Sequence, residues 1–109
     1  MAMGENKDRV GQAIRTHTIV DGRDTVAGLG TAEAMSATDL YVDYIIITAE
    51  TNNTGVITVG GSTVVAAENT RRGIPLNAGD TVSLGAVNLK DVYLDTTVNG
   101  DGVTYLYLQ

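Results

Sequence analysis

"LYVDYIIITAE", Leu40 to Glu50, is the stretch on which the fold turns. Read as a strand, it puts Leu40, Val42, Tyr44 and Ile46 on one face and Tyr41, Asp43, Ile45 and Ile47 on the other. A strand with one face in water alternates cleanly between apolar and polar residues. This one is apolar on both faces from Tyr44 onward, so it needs cover on both sides. The second sheet of a sandwich would supply one cover and another subunit the other.

The stretches on either side have the same character. Downstream, "RRGIPLNAGDTVSL" (Arg71 to Leu84) holds the chain's single proline. Pro75 has no backbone donor and belongs on a sheet edge or at a strand end. Asn77 to Asp80 reads as a turn, followed by a strand with Val82 and Leu84 facing inward. "DVYLDTTV" repeats the pattern with Val92 and Leu94 inward, "NGDG" at Asn99 to Gly102 is a turn, and "VTYLYLQ" closes as a strand that should be paired into a sheet. In that strand Val103, Tyr105 and Tyr107 share one face. Upstream, "AIRTHTIV" (Ala13 to Val20) reads as a first strand and "DGRD" (Asp21 to Asp24) as a turn, Asp-Gly being a hairpin signal. "AGLGTAEAMSATD" (Ala27 to Asp39) is a loop or a short helix capped by Thr31. "TNNTG" reads as a turn and "STVVAA" as a short strand.

Composition supports the all-β reading. The chain has 15 Thr, 13 Val and 7 Ile, so 35 of 109 residues are β-branched, and it lacks Trp and Phe. Such side chains are stiff at χ1 and sit well on a pleated surface. Seven or eight short strands spaced about ten residues apart predict a single antiparallel β-sandwich or jelly-roll-like domain over 13–109. Residues 1–12, polar and without periodicity, are expected to form an extended, flexible N-terminal arm. Cysteine is absent, which excludes disulfides and thiolate metal sites. The net charge of −6 argues against nucleic-acid binding. No apolar run is long enough for a membrane span and no signal-peptide core is visible, so a soluble cytoplasmic product is expected. The charge is uneven: residues 1–23 carry a net +1, and the remainder −7. Such unevenness arises by chance in a polar leader; the sharper reading is a leader that docks on an acidic partner.

No reactive constellation stands out. His17, the single histidine, has only Asp21 and Asp24 nearby in sequence, which is weak support for catalysis or metal binding. "NGDG" and "DGRD" lack the ligand spacing of a calcium loop, and "GLGTAE" lacks the third glycine of a dinucleotide fingerprint. Asp43, Asp91, Asp95 and Asp101 fall where solvated strand or turn residues belong. Tyr93, Tyr105 and Tyr107 suit a core or subunit interface better than a sugar platform. No catalytic residue, metal or cofactor is expected.

From Tyr44 to Leu108 the chain resembles small β-rich virion proteins of tailed bacteriophages. The resemblance rests on "IIITAETNNTGVITVGGSTVVAAENTRRGIPLNAGDTVSL" followed by "NLKDVYLDTTVNGDGVTYLYL". A strand–VGGS unit, a GIPL-x-AG corner and a (D/N)-(V/L)-Y strand recur in this order. It implies a non-enzymatic head decoration, or cement, protein in the virion, made in the host cytoplasm and bound to the major capsid protein. A tail or baseplate component, or a carbohydrate-binding β-sandwich, is the alternative. On the decoration reading Lys7, Arg9 and Arg15 form a capsid-binding arm. Tyr44, Ile45, Ile47, Tyr105 and Tyr107 would lie at the interface of a homo-oligomer, with a trimer expected first.

Overall fold

A computed structural model describes residues 16–109, so the expected arm and its Lys7, Arg9 and Arg15 lie outside the described residues. Ten strands follow in order: β1 (Ile19–Thr25), β2 (Glu33–Ala34), β3 (Tyr41–Val42), β4 (Tyr44–Ala49), β5 (Ile57–Gly60), β6 (Ile74–Leu76), β7 (Thr81–Leu84), β8 (Val87–Asn88), β9 (Tyr93–Thr96) and β10 (Gly102–Leu108). Their antiparallel pairings are nested: β1 with β10, β2 with β9, β3 with β8, β4 with β7, β5 with β6. The chain is thus one long hairpin with its tip between β5 and β6. Rolling that hairpin adds two further pairings, β10 with β4 and β5 with β9. The result is two four-stranded sheets, β1-β10-β4-β7 and β2-β9-β5-β6. This is jelly-roll connectivity, within the all-β class that the composition predicts.

The core lies between these sheets. Ile45, Ile47 and Val103 from the first sheet meet Ile57, Val59 and Leu94 from the second, all buried. Fully burying an aliphatic side chain of this size contributes about 1.5–3 kcal/mol. Val92 and Leu94 face inward as the alternation predicts, and Val82 and Leu84 pack half-buried against the cluster. Pro75 lies on the edge strand β6, where a missing donor costs nothing.

Leu40 to Glu50 is not one strand. It bends at Asp43, whose N–H donates to the Leu108 carbonyl at 2.7 Å. Val42 is buried before the bend; Ile45, Ile47 and Ala49 are buried after it. Ile45 follows Val42 by three positions, where a continuous strand returns to the same face every two, so the bend resets which parity faces inward. It also passes the chain from the small β3-β8 pair into the first sheet.

Four further stretches depart from the sequence reading. Of the strand expected over Ala13 to Val20, residues 16–18 lie outside any strand and β1 begins at Ile19. Asp21 to Asp24 is not a turn; β1 runs through it in a seven-residue pairing with β10. A partner strand distant in sequence outweighs the local Asp-Gly signal, and the Tyr105 ring lies over Gly22, where a Cβ would collide with its hydroxyl oxygen. Ala27 to Asp39 takes the loop alternative. Thr31 N–H donates to the Gly28 carbonyl in a turn, and only Glu33–Ala34 is extended. Ser62 to Ala67 contributes one isolated bridge, Val65 with Arg72, rather than a strand.

One polar atom in the second sheet lacks a partner. Thr58 is 0% exposed, and its hydroxyl makes no hydrogen bond among the described residues. Leaving a buried hydroxyl unpaired costs about 1–3 kcal/mol. Thr58→Val, nearly the same shape, is therefore expected to raise stability by about 1 kcal/mol. Urea unfolding checks this, and an unchanged or lowered midpoint would contradict it.

Candidate functional site

The outward face of the first sheet is the most distinctive surface of the fold. Cross-strand register aligns its side chains in rows. Ile19, Leu108 and Tyr44 form one row; Asp21, Leu106, Ile46 and Ser83 the next; Arg23, Thr104, Thr48 and Thr81 the third. The face therefore grades from apolar to polar along the strands. Ile19 is 66% exposed, and Tyr44, Ile46 and Leu106 are also exposed. At the polar end Thr48 and Thr81 share a hydroxyl hydrogen bond at 2.8 Å. Arg23 grips the carboxylate of Glu50 through Nε and through Nη2, the latter 3.1 Å from Oε1. That contact, by hydrogen bond first and charge second, raises the guanidinium pKa.

Between the rows lies a shallow, open depression of about 270 Å³ lined by Asp21, Ile46, Thr48, Thr104, Tyr105 and Leu106. Burial, then the charges of Tyr107, Asp24 and Asp21, raise the Tyr105 hydroxyl pKa, so it stays a neutral phenol. Asp24, near the end of β1, also has its carboxyl pKa raised, by burial and then by Glu33, with the Thr25 N–H opposing. Among the described residues, Asp21 is the only carboxylate lining the depression. The lining suits contact with an apolar or mixed surface better than acid–base chemistry, which needs convergent titratable groups.

The second sheet's outward face is closed. Val64 and Ala66, both buried, lie against it, and Asp95 anchors the loops there. Asp95 is 1% exposed; its Oδ1 accepts from Gly30 N–H at 3.2 Å and its Oδ2 from Ala66 N–H at 2.8 Å. Asp101, also buried, accepts from Thr54 and Gly55 N–H at 3.2 and 2.7 Å. Beside it, Asn53 exchanges two hydrogen bonds with the Gly102 backbone, each 2.9 Å. The solvated reading of Asp95 and Asp101 is thus corrected: loop N–H groups that would otherwise be buried unpaired draw both carboxylates inward. Both serve as loop anchors. His17 Nε2 lies 3.2 Å from Asp43 Oδ2, each side chain about a third exposed, so the histidine ties the segment ahead of β1 to the bend. No group of three or more metal-ligating side chains occurs among the described residues.

The expected interface residues divide. Tyr44 lies on the outward face. Ile45 and Ile47 are fully buried in the chain's own core, leaving no surface for a neighbour, because the bend at Asp43 turns this parity inward. Tyr105 and Tyr107 also face inward, their rings stacked with centroids 6.0 Å apart; Tyr107 is buried and Tyr105 half-buried. The residues that sequence reasoning passed over are Ile19, Ile46, Leu106 and Leu108. The signal was present in the two apolar faces of residues 44–47 and 103–108, but not the parity that chooses between them. No protein-family model, curated protein or solved structure matches this chain.

Proposed function

We propose that this chain is a virion structural protein of a tailed bacteriophage, a head decoration protein that binds the major capsid protein and stabilises the shell. Jelly rolls serve capsids, lectins and cupin-type enzymes alike, so the fold does not choose among them. The observation that carries the reading is the uncovered apolar strip of Ile19, Tyr44, Ile46 and Leu106 on an otherwise acidic protein. Contiguous apolar surface of this kind marks an interaction site more often than a catalytic one. A carbohydrate-binding reading has less support, since Tyr107 is buried and the half-buried Tyr105 has its ring stacked on Tyr107. Binding only the assembled shell would stabilise it by mass action, and Lys7, Arg9 and Arg15 would add contacts to an acidic partner surface.

Co-sedimentation with bare heads of the phage that carries the gene tests this. Full-length protein is expected to bind to saturation in stoichiometric copies. Leu106→Lys, which places a charge in the strip without touching the core, and a chain lacking residues 1–12 should each bind at least about tenfold more weakly. Absence of binding by the full-length chain overturns the reading.

A further inference from the structure

We infer that β1 is a self-association edge, along which a second copy of this chain adds antiparallel to β1 about a two-fold axis at Gly22. The inference stands whether or not the capsid reading does.

The two sheets have four edges, and β1 differs from the other three. β2 is two residues long, β6 carries Pro75, and β7 offers four residues. Shortness and proline are devices by which sheets avoid edge-to-edge pairing. β1 runs seven residues, with neither proline nor bulge in its register with β10. Thr18 and Gln109 exchange both backbone hydrogen bonds, at 2.8 and 3.0 Å. Antiparallel alternation then commits Val20, Gly22 and Asp24 to β10 and turns the N–H and C=O groups of Ile19, Asp21, Arg23 and Thr25 toward the open edge. Nothing among the described residues pairs with them as a strand.

The sequence on that edge is complementary to itself. Centred on Gly22, an antiparallel copy sets Asp21 opposite Arg23 of the second copy, Arg23 opposite its Asp21, and Ile19 opposite its Thr25. These are the same residues whose backbone groups face the edge, so one register satisfies both the hydrogen bonds and the charges. Asp21 and Arg23 are both exposed and both project from the outward face. Arg23 is also held in place: Nε and Nη2 engage Glu50, which leaves Nη1 and its two N–H groups for a carboxylate across the axis. Opposite charges directly across a strand pair favour the register, and like charges oppose it. The oligomer inferred here is two-fold, in place of the trimer expected from sequence.

The test is sedimentation equilibrium on the full chain from about 1 µM to 1 mM, a span that covers weak dimers. A reversible monomer–dimer equilibrium is expected. D21R, which sets arginine opposite arginine twice, should weaken it by about tenfold or more, and the swap D21R/R23D should restore most of the loss. D21P removes an N–H that faces the open edge and that β10 does not use, and it should abolish dimerisation. Circular dichroism confirms that each variant is folded. A chain that stays monomeric throughout, or forms trimers, overturns the inference. So do folded D21R and D21P variants that dimerise like the parent, and a folded swap that restores nothing. If deleting residues 1–15 is needed before dimers form, the chain's own N-terminal segment occupies the edge, and the inference fails for the intact protein.

Discussion

Gly73→Ala is expected to lower stability by about 3–5 kcal/mol, the largest effect of any single methyl group added to this fold. Gly73 has φ of +111°, a region that residues bearing a Cβ rarely adopt. A Cβ there would also sit 2.6 Å from the Val59 carbonyl oxygen and 2.7 Å from Val64 Cγ2. The first neighbour is backbone in a central strand and cannot rotate away. Gly79→Ala separates the two causes. Gly79 has φ of +85°, but its nearest neighbour lies 4.0 Å from the Cβ position. It should cost about 1 kcal/mol, the conformational part alone. Denaturant unfolding of both variants decides the matter. Equal losses would mean that the loop before β6 shifts and that the collision with Val59 is not what matters.

Asp95→Ala is the second large expected loss, about 3–4 kcal/mol. The substitution strands the N–H groups of Gly30 and Ala66, which come from two different loops and converge on one carboxylate. Neighbouring Ala66 is fully buried, so water cannot readily replace the lost acceptor there. Asp91→Ala, on an exposed residue four positions earlier, should stay within about 0.5 kcal/mol and serves as the control. Besides a lower unfolding midpoint, Asp95→Ala should show faster amide exchange in residues 28–31 and 64–67, because the loops lose their tether before the sheet does. Unchanged exchange there would show that the loops are held by Val64 and Ala66 packing instead.

Together the two predictions locate the rigidity of the molecule. The first sheet is stiffened by aliphatic packing on its inner face, while the described residues leave its outer face uncovered. The second sheet is clamped from outside by loops that a buried carboxylate and a left-handed glycine hold down. An uncovered face and a long open edge therefore lie on the same sheet, the one carrying β1. A partner would meet there a surface that the described residues leave open.

Composition and alternation determined the class. The abundance of Val, Ile and Thr, the turn at Asn77 to Asp80, Pro75 on an edge strand, and the inward faces of β7 and β9 were legible because each depends on the two-residue period of a strand and on local turn chemistry. Only the tertiary structure decided the rest. The bend at Asp43 inverts the parity of the strand that follows, so the isoleucines expected at an interface are core and Ile46 is surface. No local preference encodes that inversion; it exists because the chain must cross from one pairing to another. Asp21 to Asp24 joins a strand because β10, nearly the whole chain away, supplies a seven-residue partner. Asp95 and Asp101 are buried because loops arriving from distant sequence bring N–H groups that need an acceptor. Periodicity reports what a residue prefers beside its neighbours in the chain. Which face is inside, and which carboxylate is spent on a loop, depend on neighbours that only folding supplies.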